Sequence, residues 1–303
     1  MKPAKTKELL HGSLEYNPPK LSIGGLGGSG TRLFVDMCER LGFDFGELKL
    51  RLGGHDNLLF THFFKRPDWF QRLPADDELI ESATLFATLS SGRLDATSLL
   101  RMEPALRQVA QLHDQFERPT GTGSHVIDDL VATYRTGWSG PTWAWKEPNT
   151  HVFIDRLLPL FPEMKYIHVV RHGLDMAFSK NQQQFLNWSY ALTGHAPDTS
   201  KPLPPQMLDF WLACENRIST LMADARFADN ILRVDYDLIC AEPAKGIAEI
   251  MQFLDVAPGA RAQSDLLAMI RPTSRGRYKE QDLSIFSQAQ LRAVQNIGFD
   301  VEL

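Results

Sequence analysis

The sequence predicts an α/β fold, a three-layer sandwich with helices on both faces of a central parallel sheet. Two observations carry this. Short apolar runs of strand character begin near residues 21, 142, 165 and 231, and each is followed by a segment of helical periodicity. Strands that alternate with helices build βαβ units, and βαβ units give parallel pairing. The 303 residues, 43% hydrophobic and 23% charged, can bury a large core. They are read as one domain over 1–303, with 68–140 as a helical cap or insertion.

Residues 1–20 are polar and end in Pro18-Pro19-Lys20, an arm. Leu21 to Ile23 is a short buried strand. Thr31 to Leu41 is a helix whose Leu33, Phe34, Met37, Cys38 and Leu41 fall on one face, with Gly42 as its stop. Residues 44–75 read as irregular around Gly53-Gly54-His55-Asp56-Asn57. From Asp76 to Arg135 the pattern is helical, opening on an acidic first turn that suits the helix dipole, and Pro104 and Pro119 divide it into three helices. Thr142 to Lys146 is a strand. Asn149 is the expected N-cap of a helix through Phe153, Ile154, Leu157, Leu158 and Leu160, ended by Pro162. Tyr166 to Val170 is a strand that ends on Arg171, followed by a helix carrying Ser179. Residues 186–207, rich in Pro and Gly, read as a long loop, and long ordered loops often act as lids. A helix over Met207–Ala225, a strand over Ile231–Tyr236, a helix over Glu242–Leu254, the basic run Arg275–Lys279 and a helix over Gln288–Asn296 complete the chain.

Charge and composition exclude several classes. With 32 Lys and Arg against 37 Asp and Glu the net charge is −5, which argues against a nucleic-acid partner. Cys38, Cys214 and Cys240 are far apart and form no CxxC pair, so they suggest neither zinc nor a disulfide framework but buried thiols in a reducing cytoplasm. No signal-peptide core and no membrane-length apolar run is present.

Three constellations carry chemistry. The first is Gly27-Gly28-Ser29-Gly30-Thr31-Arg32, between a strand and a helix start. Glycines let backbone N–H groups approach an anion closely, and the helix N-terminus adds partial positive charge. Gly25 and Gly30 have P-loop spacing, but Thr31-Arg32 stands where a phosphoryl-transfer loop needs Lys-Ser/Thr. The second is Arg171 with Ser179 eight residues on, an arginine suited to a phosphate and a hydroxyl donor, with Asp175 as an ion-pair partner one turn away. The third is Lys146 at the end of its strand, where parallel sheets bind ligands; its structural alternative is a salt bridge with Glu147 or Glu163.

Together these residues resemble the sulfotransferase superfamily that uses 3′-phosphoadenosine 5′-phosphosulfate. Trp145-Lys146-Glu147-Pro148 and the run from Leu157 to Arg171 are similar to the family's K-x-P … L…FP-x-A-K-x-I-x-x-V-R. Leu232–Leu238 with Pro243 and Phe253-Leu254 is similar to V-x-Y-E-D-L … P … F-L, and Arg275–Lys279 to a G-R-W-K element. The resemblance covers about half the chain and does not reach 44–140. It implies a P-loop-like fold and a sulfuryl transfer without a metal. The 5′-phosphosulfate would be held by Gly27, Gly28, Ser29, Gly30, Thr31 and Arg32. The 3′-phosphate would be held by Arg171 and Ser179, with Arg275 and Arg277 as further clamps. Lys146 would sit near the bridging oxygen, with Arg32 as a second catalytic cation. Two departures stand out: Gly28 replaces a basic residue, and Pro148 stands where one branch has its base histidine. The base is then sought among Asp56, Glu47 and His55, with Asp56 first because it lies in a glycine-flanked loop. The acceptor is a small molecule or glycan bearing a hydroxyl or amine; no nucleic acid or membrane partner is expected, and a homo-oligomer is left open. The competing classes are a P-loop nucleotide kinase, which would bind ATP with magnesium, and a non-catalytic nucleotide-binding protein on the same fold.

Overall fold

The computed structural model describes residues 17–46, 51–90, 96–117, 120–135, 143–270 and 276–302. In chain order its elements are β1 (Leu21–Gly25), α1 (Thr31–Arg40), β2 (Arg51–Leu52), β3 (Asp56–Asn57), α2 (Leu58–Phe64), α3 (Asp76–Ser90), α4 (Ala96–Asp114), α5 (Ser124–Arg135), β4 (Ala144–Lys146), α6 (Ile154–Leu157), β5 (Lys165–Val170), α7 (Gly173–Ala177), α8 (Gln183–Thr193), α9 (Leu203–Ala223), β6 (Ile231–Asp235), α10 (Tyr236–Ala241), α11 (Pro243–Phe253), α12 (Ala260–Met269) and α13 (Gln288–Asn296). A central parallel sheet in the order β4-β1-β5-β6 is flanked by helices. The α/β sandwich expected from the strand–helix alternation is the fold observed.

The chain divides into two compact units. One comprises 1–22, 42–147 and 155–164, the other 23–41, 148–154 and 165–303. The core of the first is aromatic. Trp143 and Trp145, two residues apart, share a face of the β4 segment. Around them stand Phe60, which stacks on Phe64 at 4.3 Å, and Phe86, edge-on to both indoles at 5.6 and 5.1 Å. Such pairs add about 0.5–1.5 kcal/mol beyond the area they bury. Beside this cluster lies a buried polar one. His62 Nε2 donates to the Leu106 carbonyl at 3.0 Å, and His113 Nε2 to the His62 carbonyl at 2.9 Å. Burial holds both imidazoles neutral, pulling His62 down to about 3 and His113 to about 4.

In the second unit β5 and β6 pair in parallel, with His168 opposite Arg233. Both reach Glu215 of α9, His168 Nε2 at 2.9 Å and Arg233 Nε at 3.0 Å. Burial pushes the Glu215 carboxyl up, but the pull of His168 and Arg233 outweighs it and the group lies below its ordinary range. Tyr166 OH bonds His168 Nδ1 at 2.9 Å. A Cβ on Gly24 would lie 2.7 Å from that hydroxyl, so β1 must carry a glycine there. The three cysteines are free and buried, and among the described residues no helix is long and apolar enough to cross a membrane.

Several expectations are corrected. Residues 44–75 are not irregular throughout: a hairpin pairs Arg51 with Asn57 and Leu52 with Asp56, and α2 follows it, N-capped by the Asn57 side chain on Phe60 N at 2.9 Å. Residues 186–207 are mostly helix, α8 and the start of α9. Pro204 and Pro205 sit in α9's first turn, where the missing N–H costs nothing. Pro104 lies inside α4 rather than ending a helix. Asn149 falls within a 3₁₀ turn, Pro148–Val152, and its side chain accepts from Trp188 Nε1 at 2.8 Å instead of capping. The expected helix beyond it is the short α6. Ser179 follows α7 rather than riding on it, and α12 had no counterpart among the expected elements. The 1–16 part of the arm, Pro119 and Arg275 lie outside the described residues.

Candidate active site

The glycine loop belongs to the second unit and closes by geometry that only glycine permits. Gly25 has φ +137°, and a Cβ there would overlap the Val169 carbonyl oxygen of β5. Gly30 has φ +98°, and a Cβ there would overlap the Tyr236 ring. The loop's turn is fastened by Ser29 N to Leu26 O at 3.0 Å and by Gly27 N to Gln184 Oε1 at 2.8 Å. Helix α1 then starts at Gly30 with no side-chain cap and no acid in its first turn. Its first N–H groups point outward with the positive end of the helix dipole. Ser29 Oγ is buried and has no hydrogen-bond partner among the described residues. An orphaned hydroxyl beside an uncapped helix start fits an anionic group. Arg32, in the first turn of α1, is exposed.

The second constellation meets the first. A Cβ on Gly28 would stand 3.5 Å from Ser179 Oγ, so the loop and the serine are neighbours. Gly28 itself has φ +100°, a conformation that disfavours any side chain, which accounts locally for the absence of a basic residue there. Arg171 is 8% exposed and held between two carboxylates, Asp175 Oδ2 at 3.8 Å and Asp237 Oδ1 at 3.7 Å, with its guanidinium 5.7 Å from the Tyr236 ring centroid. The Asp175 pairing is the one the spacing suggested. Tyr236 therefore stands against both Gly30 and Arg171. Arg277 is exposed and forms no hydrogen bond or ion pair with the described residues. Gln184, Tyr236 and Asp237 were not among the candidates. Each acts across a large sequence separation that periodicity does not report.

The third constellation lies in the first unit. Lys146 faces away from the Trp143–Trp145 side of its strand and is 3% exposed. Its Nζ donates to the Gly54 carbonyl at 2.9 Å and to Asp56 Oδ1. This corrects the alternative that paired Lys146 with Glu147 or Glu163, since Glu163 binds Lys20 at 2.7 Å. His55, between Gly54 and Asp56, has φ +63°, and its Nδ1 lies 3.1 Å from Arg51 Nη1; Arg51 also donates to the Gly46 carbonyl at 2.7 and 3.1 Å. A non-glycine residue in the left-handed region costs about 1–3 kcal/mol, and here the hairpin and its arginine hold it. Glu47 lies outside the described residues.

The sequence profile of the Sulfotransferase family matches residues 19–258. The chain belongs to the Sulfotransferase family. Among solved structures this sulfotransferase-family chain is similar to the sulfotransferase domain of the Synechococcus PCC 7002 olefin synthase, with a TM-score of 0.50 and 18% identity over 95% of this chain and 98% of that one. It is likewise similar to sulfotransferase STF9 from Mycobacterium avium, at 0.50 and 14% over 99% and 81%. The sulfotransferase domain from the curacin biosynthetic pathway gives 0.50 and 14% over 95% and 100%. At these identities the likeness establishes the fold. No curated protein matches the sequence significantly.

Proposed function

We propose that this sulfotransferase-family chain moves a sulfuryl group from 3′-phosphoadenosine 5′-phosphosulfate to a hydroxyl or amine acceptor, a small molecule or a glycan. The observation that carries the reading is the adjacency, in one unit, of the Gly27–Arg32 loop and Ser179 of the Arg171–Ser179 pair, two elements whose chemistry suits anions. A single phosphate loop suits many ligands, whereas two suit a donor charged at both its 5′ and 3′ positions. When bound, the donor supplies an activated sulfuryl group. Gly27 to Thr31 would hold its 5′ anion through N–H groups and the Ser29 hydroxyl, with Arg32 balancing charge that develops in the transition state. Arg171, Ser179 and Arg277 would hold the 3′-phosphate.

Lys146 and Asp56 are assigned the catalytic roles. Asp56 accepts the acceptor's proton, with the Lys146 ammonium beside it to hold it in place. The likeness of Lys146-Glu147-Pro148 to the family motif supports the first role, and the Lys146–Asp56 contact supports the second.

The test is calorimetric titration with adenosine 3′,5′-bisphosphate. The wild-type chain should bind it, and Arg171→Ala should weaken binding at least tenfold, since removing one partner of a desolvated charge contact costs about 2–5 kcal/mol. Absence of wild-type binding would overturn the proposal.

A further inference from the structure

We infer that Asp175 is a positioning residue for 3′-phosphate recognition, because its one carboxylate holds both Arg171 and the turn that carries Arg277. The inference rests on the donor reading above and adds to it a residue with no ligand contact of its own. The Asp175 side chain is fully buried. Its Oδ2 faces Arg171 Nη2 at 3.8 Å and accepts from Gly276 N at 3.2 Å, while its Oδ1 accepts from Tyr278 N at 2.9 Å. Gly276 has φ +66°, and the backbone N–H groups on either side of Arg277 thereby converge on one carboxylate, a concavity built for an anion and filled here by a side chain.

The gripped turn is itself clasped from outside. The Tyr278 ring stacks on His172 at 4.4 Å and 20°, and its hydroxyl donates to the Asp300 carbonyl at 3.2 Å. His172 Nε2 donates to the same carbonyl at 2.8 Å, and Glu302 N donates to Tyr278 Oη at 3.3 Å. His172, on the residue after Arg171, and Asp175 thus bind the same turn from two sides. Arg277 projects from it exposed, making no hydrogen bond or ion pair with the described residues. A buried carboxylate with these partners is costly to alter on one side only: removing it strands two backbone donors and takes one carboxylate away from Arg171.

The experiment compares the affinities of adenosine 3′,5′-bisphosphate and adenosine 5′-phosphate by calorimetry, so that their ratio isolates the 3′-phosphate. In Asp175→Ala the ratio should fall about tenfold while adenosine 5′-phosphate still binds as in the wild type. Asp175→Asn, which keeps an oxygen for Tyr278 N and lacks the charge, should fold if the alanine variant does not, and should also lower the ratio. Arg277→Ala should lower it too, and adding Asp175→Asn to Arg277→Ala should cost less than the two losses multiplied, because both act through one turn. An unchanged ratio in Asp175→Asn, or losses that multiply in full, would overturn the inference. A wild-type chain that binds the two nucleotides equally would instead remove the donor reading on which it rests.

Discussion

Lys146 and Asp56 show what a single contact adds to a motif. A lysine at the end of a parallel strand was legible from the apolar run before it. Its partner was not, because Asp56 lies far upstream in a hairpin of two-residue strands too short to leave a periodic trace. The glycine-flanked setting of Asp56 singled it out, and the structure puts its carboxylate against the Lys146 ammonium. At this scale the expected outcome is separable in kinetics. Asp56→Asn should lower kcat by about 10²–10⁴-fold, the usual contribution of general base catalysis, while bisphosphate affinity stays near the wild-type value. Equal turnover in the variant would move the proton acceptor elsewhere. The glycine loop was legible for the opposite reason: its chemistry is local, and Gly25 and Gly30 announce backbone that no other residue adopts cheaply. What each glycine makes room for, Val169 and Tyr236, was not legible.

Among the elements, the strands of the central sheet were easier to read than helix boundaries. β1 and β5 are buried runs and β6 a partly buried one, and each was found within a residue or two. Proline misled the helix reading in two ways. Pro204 and Pro205 occupy a first turn, where they favour a helix, and were read as loop. Pro104 sits within α4, where Leu99, Met102, Leu106, Val109 and Ala110 keep one face buried despite the lost hydrogen bond. Caps behaved more simply. Ser287 begins α13 with a full capping box, its Oγ accepting from Gln290 N at 3.2 Å and Gln290 Oε1 accepting from Ser287 N at 2.9 Å. Ser287→Ala should therefore destabilise the chain by about 1 kcal/mol, read as a lower denaturant midpoint at unchanged slope. The Gln290 side chain also donates to Asp209 Oδ1 at 2.7 Å, so Gln290→Ala should cost more than Ser287→Ala.

For the whole molecule, the buried histidines set a dependence on pH. His62 and His113 bind protons near pH 6.5 when unfolded, but only near 3 and 4 when folded. The unfolded state therefore holds more protons between those limits, and stability falls as pH drops below about 6.5. With both groups excluded, the loss from these two should be on the order of 2–3 kcal/mol per pH unit near pH 5, and His151, fully buried and held by that burial well below its ordinary range, adds to it in the same direction. Chemical denaturation at pH 7.5, 6.5 and 5.5 checks this, and a flat profile across that range would refute it. Such a dependence comes from packing, which brings His62 and His113 together across fifty residues, and could not be read from their isolated positions. The division of the chain into interleaved units has a consequence for synthesis. Helix α1 presents Phe34, Val35, Met37 and Cys38 to the core of a unit whose other segments begin at 148 and run past Tyr236. At about 5–20 residues per second, a ribosome takes on the order of ten to forty seconds to deliver them. For that interval the glycine loop and its helix leave the exit tunnel with their apolar face uncovered, so this is where a nascent chain most needs a chaperone.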